Sequence, residues 1–140
     1  MHKRVLVVFE PGRAGAAALD AARQLGVDED GQLTVVCVAP HAPSASRCEG
    51  PAHAYNDELV DATLADLRAA RQQLGDSART ATFALLRDGV DPPLHELAAQ
   101  GGFDLVLLPA RRRPLHSSKH PAANRIRAAG LEVGVVEPGA

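Results

Sequence analysis

Aromatic residues are scarce in this sequence: three phenylalanines, one tyrosine and no tryptophan. Phe9, Phe83, Phe103 and Tyr55 are too few to build a stacking surface for nucleic-acid bases. The core must therefore be aliphatic. An excess of one charge is also lacking. Fifteen basic and 17 acidic residues leave a formal net charge of -2, so no basic field argues for nucleic acid. No apolar run approaches the roughly 20 residues that a bilayer-spanning helix needs. The apolar stretch behind Lys3-Arg4 stops at Glu10, too short for a secretory leader. Cys37 and Cys48 are the two cysteines and give no disulfide framework. These absences point to a cytoplasmic protein without membrane or nucleic-acid partners. The remaining absence is local: no glycine stands between Gly102 and Gly130.

What is present is an alternation of strand and helix patterns. Continuous apolar runs at 5–9, 33–38, 80–86, 103–108 and 132–136 read as strands covered on both faces, as in a parallel sheet. Cys37 lies inside the second run and reads as a small buried hydrophobe. Between the runs, helices are expected over 14–25 and 56–74, with a short one after Pro92-Pro93 and a last one from Pro121. Glycines 26, 75, 101 and 130 close them. In the helix over 56–74, Val60, Leu64, Leu67 and Leu74 are expected on the buried stripe, with Asn56 as N-cap. The segment 41–55 lacks periodicity and reads as a surface loop. The length of 140 residues suits one domain over 1–140. The expected fold class is α/β, a three-layer α/β/α sandwich around a five-stranded parallel sheet.

Three stretches carry a family resemblance. Arg4-Val5-Leu6-Val7-Val8-Phe9-Glu10 precedes an alanine-rich helix. Gly89-Val90-Asp91-Pro92-Pro93-Leu94-His95-Glu96-Leu97-Ala98 precedes Phe103-Asp104-Leu105-Val106-Leu107-Leu108. Asn124-Arg125-Ile126-Arg127 precedes Val133-Gly134-Val135-Val136. In order and spacing they resemble the universal stress protein family across nearly the whole chain. The resemblance implies a Rossmann-like sheet of the adenine-nucleotide alpha-hydrolase-like type, a stress-response role and dimers formed through the last strand. ATP-binding members carry two glycines separated by two residues, then nine residues, then a glycine followed by serine or threonine. Threaded from the fourth strand, Pro109 and Arg112 fall on the first two glycines, and Ala122 and Ala123 on the last pair. Aligned on the final helix, His120 and Pro121 take that last pair instead. Every glycine is lost either way. The family's acid at the end of the first strand corresponds to Glu10, and the residue that offers backbone groups to adenine corresponds to Val38.

Main-chain wrapping of a phosphate normally uses glycine, which permits the dihedrals and the close approach. Here Arg111, Arg112, Arg113, Lys119 and His120 occupy the interval. Arginine forks can hold a phosphate or a carboxylate, and a solvated loop of cations is the alternative. Glu10 is either a ligand-facing acid or a strand-end acid near cations. His116 and His120 have a spacing that aligns imidazoles on a helix, yet Pro114 and Pro121 flank them. His41, Cys48 and His53 share a segment without a tight ligand pair, so no metal site is expected. No nucleophile–base pattern emerges, G-x-S-x-G included, so no catalytic residue is assigned. An apolar last strand at a sheet edge invites pairing, making Val133, Val135 and Val136 candidates for a homodimer interface. The expectation is a non-catalytic homodimeric binding module with no obligate cofactor, not binding ATP in the usual way. The alternative is a binder of AMP, ATP or another small phosphate-bearing ligand through the loop Arg111, Arg112, Arg113.

Overall fold

The computed structural model describes residues 4–26, 32–40, 52–110 and 121–137, without the side chains at 52–55 and 121. Five parallel strands form one sheet: β1 (Arg4–Val8), β2 (Gln32–Ala39), β3 (Ala81–Arg87), β4 (Leu105–Pro109) and β5 (Glu132–Val136), in the order β3-β2-β1-β4-β5. Between them run the helices α1 (Arg13–Gly26), α2 (Ala52–Leu74), α3 (Leu94–Gln100) and α4 (Pro121–Ala128).

The strand order dictates the layers. From β1 the chain steps to β2 and β3, then crosses back over β1 to reach β4 and β5. Parallel crossovers are right-handed, so reversing the direction moves the connecting helices to the other face. Val5, Val7, Leu33, Val35, Cys37 and Leu107 accordingly pack with Ala18, Leu19 and Ala22 of α1 and Ala70 and Leu74 of α2. Leu6, Val8, Val36, Val106 and Leu108 pack on the opposite face with Ala98 of α3 and Ala123 and Ile126 of α4. Successive strand residues supply alternate faces, which explains why β1 and β4 read as unbroken apolar runs. The three-layer expectation and the five-stranded sheet are both present. Leu6, buried completely in the central strand β1, excludes on the order of 2–3 kcal/mol of apolar side chain from water.

Two expectations are corrected. Helix α2 begins at Ala52 rather than Asn56, so Asn56 is an interior residue and not the N-cap. Ala52-His53-Ala54-Tyr55 contain no helix breaker, and the helix runs back through them. Its buried stripe is also rotated: Thr63, Ala70 and Leu74 are buried with Leu67 half-buried, while Leu64 is 38% exposed. At 100° per residue, Leu64 sits one step off a stripe centred on 63, 67, 70 and 74. The buried hydroxyl of Thr63 donates to the carbonyl of Leu59 at 2.8 Å, so burying it leaves no unmet donor. A 3-10 helix (Gly75–Thr80) leads into β3, which starts at Ala81.

At the amino end of the sheet, the amide of Arg4 donates to Asp104 Oδ2 at 2.9 Å, and the amide of Asp104 donates to the Arg4 carbonyl at 2.8 Å. Arg4 also lies 5.1 Å over the Phe103 ring, a favourable cation–π geometry. These contacts clamp β1 to β4 at the end away from the cavity described next. At β5, Gly134 lets the Leu107 side chain lie across its backbone, 2.8 Å from where a β-carbon would stand.

Candidate functional site

Four strands deliver their carboxyl ends to one cavity of about 280 Å3. Val8 comes from β1, Val38 from β2, Leu86 and Arg87 from β3, and Leu108 and Pro109 from β4. Helix α3 adds Leu94 and His95, and helix α4 adds Ala122, Arg125 and Ile126. This is where the strand order reverses. In open α/β sheets, such a switch point opens a crevice because the helices leave in opposite directions.

Glu10 reaches the cavity through the β1–α1 turn. The amide of Phe9 donates to the Val36 carbonyl at 2.9 Å, carrying the pairing one residue past β1. Gly12 then takes a φ of +118°, and its carbonyl accepts the Ala16 amide at 3.0 Å to open α1. Gly15, buried in the first turn, leaves room for the Glu10 main chain. A β-carbon on Gly15 would meet the Glu10 carbonyl oxygen. Glu10 is thereby half-buried at the cavity edge, and Val38 stands beside it, 36% exposed.

The β3–α3 turn supplies a second polar group. Arg87 donates to Asp91 three times: its amide to Oδ2 at 2.7 Å, Nε to Oδ2 at 3.3 Å and Nη2 to Oδ1 at 3.1 Å. The Asp91 amide returns a bond to the Arg87 carbonyl at 2.9 Å, and Gly89 closes the turn at φ +80°. Bonding from the Arg87 side chain and amide holds the Asp91 carboxyl below its usual range, and Asp91 in turn raises the Arg87 guanidinium. Behind the turn, the Asp88 amide donates to the Ala39 carbonyl at 2.9 Å. On the other side of the sheet, Cys37 is a buried thiol. Burial, with the charges of Asp66 and Glu10, pushes it up to about 12. It is a packing residue and not a nucleophile at neutral pH.

Of the residues singled out in the sequence, Glu10 and Val38 come together at the cavity. Arg111, Arg112, Arg113, Lys119 and His120 lie outside the described residues, as do His41, Cys48 and His116 and the side chain of His53. Among the described residues, no group of three or more His, Cys, Asp and Glu side chains is placed to hold a metal ion. Val133, Val135 and Val136 lie on β5, which pairs with β4 on one side and forms an edge of the sheet. Val133 packs toward α3 and α4, Val136 toward α1 and α2, and Val135 is 38% exposed.

Sequence reasoning missed Arg87, Asp91, His95 and Arg125 as cavity residues. A signal existed for Arg125: positions 122, 125 and 126 share one face of a helix, and Ala122 and Ile126 are apolar. A profile of the Universal stress protein family matches residues 1–119. The chain belongs to the universal stress protein family. Universal stress protein UspA from Lactobacillus plantarum superposes with a TM-score of 0.71 at 18% identity, over 96% of this chain and 97% of that one. A universal stress protein in complex with cAMP gives 0.65 at 20% identity, over 99% of each chain. The Archaeoglobus fulgidus universal stress protein in complex with dAMP gives 0.65 at 15% identity, over 96% and 97%. At these identities the likeness concerns the fold. No curated protein matches the chain. No helix among the described residues is long and apolar enough to cross a membrane.

Proposed function

We propose that this universal stress protein is a non-catalytic homodimeric binding module, one unit over 1–140, that does not enclose ATP through main-chain amides. The observation behind this reading is the composition of the β4–α4 connection. Pro109, where it departs, lines the cavity, and no glycine occurs between Gly102 and Gly130. Successive amides can converge on a polyphosphate only where the backbone adopts conformations that glycine favours. The cavity volume of about 280 Å3 also lies at the small end of ligand sites. Among the described residues β5 is an edge strand of the sheet, with Val135 exposed on it, which supports pairing with a second copy. Phosphate release from Mg-ATP, followed beside the light-scattering mass, tests both halves. The expected result is no release above background and the mass of two chains. Turnover, or a monomer at all concentrations, overturns the reading.

A second reading is favoured by the cavity itself. It joins an apolar floor of Val8, Leu86, Leu108 and Ile126 to convergent polar groups, the usual make-up of a small-molecule site. The two related structures in complex with cAMP and dAMP support a small phosphate-bearing ligand. Glu10 and Val38 would face its base. The sequence also offers Arg111, Arg112, Arg113 and Lys119 for phosphate.

A further inference from the structure

We infer that the outer edge of β3 is a docking site for an extended acidic peptide segment, which adds to the sheet as a further strand. This edge lies across the sheet from β5, and the residues that carry the argument, Leu64, Arg68, Arg71, Phe83 and Leu85, do not line the cavity. Among the described residues β3 pairs with β2 alone. The Asp88 amide donates to the Ala39 carbonyl. Main-chain groups of successive strand residues point to alternate sides. Thr82, Ala84 and Leu86 therefore turn theirs to β2, and Ala81, Phe83, Leu85 and Arg87 turn theirs outward. The chain itself closes both ends of this outward row. The Ala81 amide donates to the Ala78 carbonyl. The Arg87 amide donates to Asp91, and the Arg87 carbonyl accepts the Val90 and Asp91 amides. Between these ends, the amides and carbonyls of Phe83 and Leu85 have no partner among the described residues. Open main-chain groups on an edge are what strand addition uses.

The chemistry of the occupant follows from α2, which packs beside this edge. Gln73 donates to the Ala16 carbonyl of α1 at 2.9 Å, so that side of α2 faces α1. Leu64, Arg68 and Arg71 lie on the opposite side, within an arc of about 60° at 3.6 residues per turn. They overlook β3, where the Arg71 guanidinium stands 5.2 Å over the Phe83 ring. Leu64 is exposed, and Phe83 and Leu85 are half-buried. Arg68 and Arg71 enter no ion pair among the described residues. Asp57 and Asp61 lie nearer the start of α2, beyond Leu64. A strand laid along Phe83 and Leu85 presents one face to Leu64 and to the two guanidiniums. An apolar residue suits Leu64, and a carboxylate two positions away suits Arg71 and Arg68. A basic segment is repelled there.

The probe is an acetylated, amidated heptapeptide, Thr-Glu-Thr-Leu-Thr-Glu-Thr, which presents the same pattern in either direction. The counter-probe has lysine in place of both glutamates. Chemical shifts and amide exchange of the isotope-labelled full chain are read by NMR. In the protein alone, the Phe83 and Leu85 amides should exchange faster than those of Ala84 and Leu86 by about tenfold or more. The glutamate peptide should shift Phe83 and Leu85 and slow their exchange, and the lysine peptide should leave them unchanged. Arg71→Glu should weaken the glutamate peptide about tenfold or more, while protection at Ala84 and Leu86 verifies that β3 stays paired to β2. Arg127→Glu, exposed on α4, should match the parent protein. If Phe83 and Leu85 are as protected as Ala84 and Leu86 in the protein alone, another part of the chain or a second copy holds the edge and the inference is wrong. It is also wrong if the two peptides act alike, if neither shifts the edge amides, or if Arg71→Glu binds the glutamate peptide as the parent does.

Discussion

Gly15→Ala should destabilise the protein, against the usual sense of that substitution. Within a helix, alanine is favoured over glycine by about 1 kcal/mol. Gly15 sits in the first turn of α1, and propensity alone predicts a gain there. Tertiary contact predicts the reverse. The new β-carbon would meet the Glu10 carbonyl oxygen and stand 2.7 Å from its carbonyl carbon. Both are main-chain atoms and cannot swing aside like the tip of a side chain. Overpacking of this kind costs about 1–3 kcal/mol, and a backbone neighbour puts it toward the upper end. The net expectation is a loss of about 1–2 kcal/mol after the propensity gain is subtracted. For a chain of this size that is about 3–7 °C in Tm. Urea unfolding, followed by circular dichroism, reads the midpoint directly. Gly15→Ala with a midpoint equal to or above the parent's would refute the claim that α1 is seated on the Glu10 carbonyl.

Further outcomes follow from the same geometry. Leu6→Ala, in the middle of β1 with no exposed surface, should cost about 2–5 kcal/mol in urea unfolding. Val135→Lys on the exposed edge of β5 should halve the light-scattering mass and leave the urea midpoint nearly unchanged, since surface substitutions lie within about 0.5 kcal/mol. In a Cys48→Ser background, Cys37 should resist thiol reagents at pH 8 in the native protein and react fully in urea. Its raised folded value makes its stability contribution complete below its ordinary value of 9.0 and lost as pH climbs toward about 12. Asp91 has the opposite sign. Its carboxyl is held low by Arg87, so the pair's contribution is present above the ordinary carboxylate range and lost as pH falls through the depressed value. Asp91→Asn should remove that part of the acid-limb dependence in a pH series of unfolding curves.

Much of the fold was legible because β1 beyond Arg4 and the whole of β4 are apolar at every position, which only a doubly covered parallel strand requires. Helix ends were legible where glycine closes them, as at Gly26 and Gly101. The start of α2 was not, because Ala52-His53-Ala54-Tyr55 follow a proline- and serine-rich segment whose composition masked their helical phase. Leu64 misled because hydrophobicity marked it as core, whereas the phase set by Thr63, Ala70 and Leu74 turns it outward. At the candidate site, Glu10 and Val38 were legible as strand-end residues. The Arg87–Asp91 fork and Arg125 were not, since the cavity exists only once α3 and α4 fold over the ends of β3 and β4. The role of Gly15 was hidden for the same reason: its neighbour is a carbonyl brought close by the turn at Gly12.

The dissociation constants of AMP, ADP and Mg-ATP, measured on one preparation by calorimetry, test the central claim most directly. Without glycines to let main-chain amides converge, the second and third phosphates gain no main-chain cradle, and the three constants should agree within a few-fold. A stepwise gain of tenfold or more per added phosphate, about 1.4 kcal/mol each, would contradict the account.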